Sequence, residues 1–458
     1  MNEFSGKLKS PVIDWVGLLI GLSVLVNLSG IFITILGPDG ALYASIAKRM
    51  VQRNDYVNLF AEGKDWLDKP HFPFWVTAFS FRVFGFTTWA YKLPAILFLF
   101  AGGWYTYCLA KKLYNRTIAR WSVLIFFTAE HIIISNNDVR AEPYLTGLIV
   151  GSLYYFFIAS TENNKGALFI GSVLAACAVM TKGPFALIPI VTALGAHFLL
   201  KKRYRDLFHS RWLIAALLIL IFILPELYCL YVQFDAHPEK LVFGRTQVSG
   251  IQFFFWDSQF GRFFNTGPIK GKGDLFFFFH TLLWAFVPWS LLLYAAFVHI
   301  VRKHWRNPFL KHEWLTIGGA TCTLLLFSLS RFQLPHYANI VYPLLSIVLA
   351  AYLHEVKSEK TWRVIRITQS IIIVLIIIAV SGLHVLYKPA QLNVSTVVII
   401  LPLVVILILS NKFPSLSNVQ LILWRTVLSA AILNFYLNLN FYPDLLQYQS
   451  GSQAAIYA

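Results

Sequence analysis

The sequence predicts an all-α, polytopic membrane protein, and three observations predict it. Of 458 residues, 57% are hydrophobic and only 13% charged, against roughly 25% charged in a soluble globular protein; the mean hydropathy is +0.64. Apolar runs of the roughly 20 residues that one crossing helix needs recur from end to end. These runs lack the short alternating pattern of barrel strands, which leaves helices as the way to satisfy every backbone group in lipid.

Taken in order, Lys7 and Lys9 precede the first run, "VGLLIGLSVLVNLSGIFITILG". It is too long for a signal-peptide core and lacks a small-residue cleavage site, so it reads as a retained helix. Spans are expected near 12–36, 72–110, 118–136, 141–160, 167–181, 184–200, 212–233, 275–301, 314–330, 335–354, 364–387, 394–410 and 419–437, about thirteen in all. Between the first two, Leu42, Ile46 and Met50 recur at helical spacing among Lys48, Arg49 and Arg53, which predicts a basic amphipathic helix lying along the membrane surface. The run 72–110 exceeds one straight crossing, so "HFPFWVTAFSFRVFG" is expected as a separate juxtamembrane helix.

Loop charge orients these spans. With the N-terminus inside, the inner loops include "KKLYNRTIAR", "KKRYRDLFHSR", "RKHWRNPFLKHE" and "HEVKSEKTWRVIR". They are rich in Lys and Arg, as cytoplasmic loops are. That accounts for the net charge of +17 without nucleic acid as a partner. An odd number of spans leaves the C-terminal tail outside. Loops 38–71 and 234–274 are then the sizeable outer segments, so chemistry is expected where they meet the helix ends. The four cysteines stand singly in apolar surroundings, and neither a disulfide nor a cysteine metal site is expected.

An ionisable residue at membrane depth disfavours insertion by roughly 2.5–3.5 kcal/mol and points to function by default. Such residues gather on the expected outer ends: Asp39; Asp65, Asp68 and Lys69 in "KDWLDKPHFPFW"; Asp138, Arg140 and Glu142 in "NNDVRAEPYL"; Lys182 in "TKGP"; Arg331, Gln333, His336 and Tyr337 in "SRFQLPHYANIVYP". Carboxylates facing cations suit an anionic substrate and a proton transfer. Each has a plainer reading. Asp39 can be the N-cap of the helix after it. Lys69 and Lys182 can snorkel to the interface, although Gly183 and Pro184 beside Lys182 weaken that reading. Asp138 and Arg140 can form an ordinary ion pair at the rim. His71 and His237 have no second histidine at ligand spacing, so no metal site is assigned. Should Asp39, Asp68 and Glu142 converge, they would be the ligands of a divalent cation.

The motifs "PDGALYASIAKRM", "DKPHFPFWVTAFSFRVFG", "YKLPAILF", "VRAEPYLTG", "TKGPFALIP", "FGRFFN", "FVPWSLLLY" and "LPHYANIVYPLL" occur in this order. In this order and topology, residues 10–350 resemble the membrane glycosyltransferases of the protein-mannosyltransferase and lipid A aminoarabinose-transferase superfamily. The resemblance implies a GT-C fold with juxtamembrane helices in the first outer loop. Residues 1–350 would be a catalytic module, and residues 351–458 further transmembrane helices. It also implies a sugar donor linked to polyprenyl phosphate, a lipid, glycan or protein acceptor, and an active site on the periplasmic side of a bacterial inner membrane. Asp39 matches the family's first acidic residue; Gly40 stands where a glutamate commonly follows, and Lys69-Pro70-His71 stands for Lys-Pro-Pro. Glu142-Pro143 matches the second outer acidic residue, and Tyr337 the late tyrosine. On this reading Asp39 is the general base and Glu142 its acidic partner. Lys69, Arg140, Lys182 and Arg331 clamp the donor phosphate, and Tyr43, Asp138 and Tyr337 contact substrate. Direct displacement with inversion is expected. A transporter or flippase of lipid-linked sugars, or a polymerase, is the alternative; the chain shows no internal repeat of the kind transporters carry.

Overall fold

The computed structural model describes residues 14–306, 313–387, 393–410 and 416–449. Lys7, Lys9, the start of the first expected span, parts of three expected loops and the tail from residue 450 lie outside them.

The described chain is helical nearly throughout. α1 (Trp15–Ser29) is followed by α2 (Pro38–Arg53), strands β1 (Phe60–Ala61) and β2 (Lys64–Asp65), α3 (Phe72–Phe84), α4 (Thr88–Leu113), α5 (Arg116–Phe127), α6 (Glu130–Asn137), α7 (Glu142–Glu162), α8 (Lys165–Lys182) and α9 (Ile188–Leu200). The short α10 (Tyr204–Leu207) precedes α11 (Arg211–Phe222) and α12 (Leu224–Leu230). Single turns α13 (Gly250–Gln252) and α14 (Arg262–Phe264) flank a π-helical stretch, Phe253–Gly261. Then come α15 (Phe277–Ala285), α16 (Ser290–Arg306), α17 (Leu315–Ser328), α18 (Tyr342–Glu355), α19 (Glu359–Tyr387), α20 (Val394–Leu409), α21 (Asn418–Tyr436) and α22 (Tyr442–Leu446).

Among the described residues, six helices are long and apolar enough to cross a membrane, and up to eight segments are if each of two bent pairs is one span. Five shorter apolar helices accompany them. Several expected spans are therefore interrupted, each for a local reason. The run 72–110 divides at Gly85, whose φ of +79° suits glycine, and Thr87 caps α4 by accepting from the Ala90 N–H at 3.3 Å. The run 118–136 bends by 52° between α5 and α6. No glycine or proline marks that break; the Glu130 N–H instead donates to the Val287 carbonyl at 2.9 Å. Between α11 and α12 the chain bends by 42° at Pro225, which has no N–H to continue the preceding ladder.

The first outer loop holds the expected surface helix. Along α2, Ile46 and Met50 are buried against Phe74 and Ala78 of α3, with Leu42 half-buried beside them. Lys48 and Arg53 stay exposed. The loop also contains a β-hairpin that the sequence reading lacks, turned by Glu62 (φ 51°) and Gly63 (φ 81°); two successive positive φ angles match the twist of paired strands. Gly40 is buried because an added Cβ would lie 2.9 Å from Ile35 and 3.2 Å from the Val139 carbonyl. A side chain at this position would have to displace the Ile35 methyl.

α7 and α18 are the most enclosed long helices, whereas α19 leaves most of its apolar surface bare, as a lipid-facing helix would. The C-terminal helices are tied to the rest. Asn438, just after α21, donates to Ser29 Oγ at 2.8 Å and accepts from Asn137 at 2.8 Å. The polar helix ends divide cleanly. Glu142, Lys182 and His336 lie at one end of the bundle, and Lys112, Lys201, Arg203, Lys303 and Glu355 line a cavity at the other.

Candidate active site

The site is assembled from helix ends and the two long loops. Glu142 opens α7 and Lys182 closes α8, so a carboxylate sits at a helix N-terminus and a cation at a C-terminus, where each is favoured. The two side chains form an ion pair, with the Glu142 carboxylate almost fully buried. The Lys182 ammonium also lies 3.6 Å from the centre of the Tyr337 ring, a close cation–π contact. His336 Nε2 approaches the same Glu142 oxygen at 3.7 Å.

A second cluster forms around Asp68, which accepts from Lys69 at 2.6 Å and pairs with Arg262. Burial raises the Asp68 pKa, but Lys69 and Arg262 outweigh it and hold the carboxyl below its ordinary value. Burial pulls Lys69 down, and Asp68 only partly restores it. A third cluster is a fork. Arg140 Nη1 meets Asp39 at 2.7 Å while its Nε donates to Asp138 at 2.9 Å. Burial pushes the Asp138 carboxyl up against the opposing pull of Arg140. It also disfavours the Arg140 charge, which the carboxylates of Asp138, Asp39 and Glu142 more than restore.

Two adjoining cavities share these groups. One, of about 160 Å³, is the more polar of the two and reaches Asp39, Tyr43, Arg140, Glu142 and His336. The other, of about 90 Å³, is mostly apolar, with Leu145, Ile149, Phe185, Phe263 and Ile340 in its walls. Asp68, Lys69, Lys182, Arg262, Phe332 and Tyr337 line both. Three cations and two aromatic rings therefore stand where the apolar space meets the polar one.

The sequence candidates fare unequally. Asp39, Tyr43, Lys69, Arg140, Glu142, Lys182 and Tyr337 come together around the polar cavity. Asp39 is not an N-cap: Gly37 takes that position, Pro38 starts the helix, and Asp39 makes no cap hydrogen bond. Asp138 stands behind Arg140, outside both linings, packed against Gly37, where a Cβ would overlap its carboxylate. Arg140 faces two carboxylates and lines the polar cavity but not the apolar one. Arg331 is exposed and lines neither cavity; its backbone N–H is tied to the Phe263 carbonyl at 3.0 Å. Asp39, Asp68 and Glu142 do not gather as a ligand set, since each pairs with its own cation. Among the described residues no three His, Cys, Asp or Glu side chains are grouped to hold a metal ion.

Three contributors escaped the sequence reading. Arg262 sits in "FGRFFN", 194 positions from its partner Asp68. Lys92, in "YKLPAILF", is fully buried and donates to the Gly30 and Ile33 carbonyls at 3.0 and 2.7 Å, holding the chain that leads from α1 to Asp39. Glu226 lies in an apolar run yet is fully buried against His71. Its charge at membrane depth was the available signal.

Residues 68–229 match the family model described as dolichyl-phosphate-mannose-protein mannosyltransferase. Among curated proteins, an undecaprenyl phosphate-α-4-amino-4-deoxy-L-arabinose arabinosyl transferase of Yersinia enterocolitica is 24% identical over 73% of this chain and 58% of its own length. The Enterobacter protein of the same name is 23% identical over the same shares. The chain thus spans somewhat under two thirds of the curated relatives it matches. Among solved structures, ArnT from Cupriavidus metallidurans bound to undecaprenyl phosphate superposes with a TM-score of 0.72 at 20% identity, covering 93% of this chain and 77% of that one. An Archaeoglobus fulgidus oligosaccharyltransferase superposes with a TM-score of 0.50 at 10% identity, over 92% and 56%. The family model, the relatives and the superposed structures agree, and the chain shares the fold of ArnT, to which it is similar over most of its length.

Proposed function

We propose that this protein is a glycosyltransferase that moves a sugar from a polyprenyl-phosphate carrier to a hydroxyl or amine of an envelope lipid, glycan or protein. The observation that carries the reading is the wall shared by the two cavities. Lys69, Lys182 and Arg262 stand between an apolar space suited to prenyl units and a polar space that ends at Asp39. A donor phosphate fits that boundary. The relatives named for undecaprenyl-phosphate substrates support the same assignment.

The chemistry follows from the leaving group. Polyprenyl phosphate departs as an anion, so it needs stabilised charge rather than a proton. This differs from glycoside hydrolysis, where a carboxylic acid protonates the leaving oxygen. Asp39 takes the proton of the acceptor as its oxygen or nitrogen bonds to the anomeric carbon, and the carbon–oxygen bond to phosphate breaks with inversion. Arg140, anchored by Asp138, orients Asp39. Glu142 holds Lys182 toward the boundary. Residues 1–350 form the catalytic module on this reading, and the later helices buttress it.

The site end of the bundle faces the periplasm of a bacterial inner membrane in this account, and the basic end faces the cytoplasm. Single cysteines placed at residues 202 and 240 should label from opposite sides of the membrane; labelling from one side sinks the orientation and the proposed count of about thirteen spans.

Lys182→Ala leaves the buried Glu142 carboxylate with only the more distant His336, and stability should fall by up to about 3–5 kcal/mol. Adding Glu142→Gln should restore most of it, while use of the lipid donor stays impaired. Thermal melting and donor kinetics of both variants check this; normal donor kinetics in the double variant would reduce Lys182 to a structural anchor. The function itself is tested by mass spectrometry of envelope glycolipids and glycoproteins with and without the gene. One saccharide modification should vanish, and an unchanged envelope stands against the proposal.

A further inference from the structure

His71 and Glu226 are both fully buried, 155 positions apart in the chain, and bonded twice. The backbone N–H of His71 donates to Glu226 Oε2 at 2.9 Å, and ring Nδ1 lies 3.0 Å from Oε1. The other ring nitrogen, Nε2, lies 2.9 Å from the Val57 carbonyl. A carbonyl only accepts, so Nε2 carries a hydrogen. One more proton lies between Nδ1 and Oε1.

The pair has a counterpart. Gln233 bonds Leu59 through both its amide atoms, each at 2.8 Å, and donates to Asp65 at 2.9 Å. Glu226 and Gln233 belong to one continuous helical stretch, α12 and the π-helical turn after it. They grip the first outer loop at Asp65 and at His71. Between those grips run Trp66, Leu67, Asp68, Lys69 and Pro70, the segment that presents Asp68 and Lys69 to both cavities. The His71 ring also faces the Trp75 ring at 5.3 Å, and the Trp75 indole donates to the Tyr56 carbonyl at 2.7 Å.

We propose that His71 and Glu226 are positioning residues that set Lys69 and Asp68 at the anion-binding wall. Neither side chain touches substrate. The inference rests on the proposed donor site and deepens it. Loss of the bond should leave the chain folded but let the 66–70 segment relax, weakening the grip on the phosphate.

The test is binding of undecaprenyl phosphate to the full chain in detergent, read by tryptophan fluorescence, with melting temperature as the control for folding. Glu226→Leu should weaken Kd about tenfold or more, as removal of a group that orients a ligand-binding side chain commonly does. Glu226→Gln can accept from the backbone N–H and donate to Nδ1, and should bind within about twofold of wild type. Should the leucine variant not fold, His71→Asn takes its place, keeping a donor to Glu226 and losing Val57; it too should bind more weakly. Lys69→Ala is the reference. If it loses affinity while a folded Glu226→Leu or His71→Asn binds like wild type, the positioning role is overturned and the donor site stands. If wild type does not bind, or Lys69→Ala binds equally well, the donor site falls and the positioning role with it.

Discussion

Asp39→Asn should lower sugar transfer by about 10²–10⁴-fold, the usual contribution of a general base, without loss of folding or of donor-phosphate binding. The substitution is isosteric, and it removes the proton acceptor while leaving an oxygen for Arg140, whose guanidinium lies 2.7 Å away. A capping role cannot mask the result, because Gly37 caps α2 and Asp39 makes no cap bond. The half-exposed carboxylate lines the polar cavity but not the apolar one. Donor binding and chemistry should therefore separate. Turnover near wild type would move the search for the base to Glu142, which is already paired with Lys182.

Arg262→Ala should have the complementary effect, a loss of about 10²–10³-fold in donor use, the scale of removing one group that stabilises developing negative charge. Counting Glu142, which pairs with Lys182 from the polar side, the shared wall's three cations, Lys69, Lys182 and Arg262, face two carboxylates, Asp68 and Glu142, an excess of one positive charge (3 − 2). Removing Arg262 brings that excess to zero (2 − 2) and leaves Lys69 to Asp68 alone. Arg262→Lys should recover only part of the loss, since an ammonium lacks the planar fork that engages carboxylate and phosphate together. The guanidinium carbon lies 5.5 Å from the centre of the Phe332 ring, which lines both cavities beside it. Equilibrium binding of undecaprenyl phosphate and initial rates separate the two roles; unchanged values for both would remove Arg262 from the site.

The sequence displayed the bundle and the end where charge collects, because apolar length and loop charge are local properties of the chain. Asp39, Lys69, Glu142 and Lys182 were legible because each interrupts apolar surroundings at the edge of a run. Which cation meets which carboxylate was not. Arg140 is near Asp138 in sequence but far from Asp39, so the fork of two carboxylates on its guanidinium is visible only in the fold. Arg331 shares a motif with Tyr337 yet points elsewhere, since the turn after α17 separates them. Arg262 and Glu226 act on residues 194 and 155 positions away, a separation that no local pattern reports. The bend at Thr128 and Ala129 was equally hidden, because a tertiary acceptor, the Val287 carbonyl, replaces a helical one there.

The most direct test of the account uses the purified chain in vesicles with a polyprenyl-phosphate-linked sugar, envelope acceptors and no ion gradient. The account predicts glycosylated acceptor and free polyprenyl phosphate in equal amounts, both lost in Asp39→Asn. Lipid-linked sugar that crosses the bilayer intact, with no glycosylated product, would contradict it.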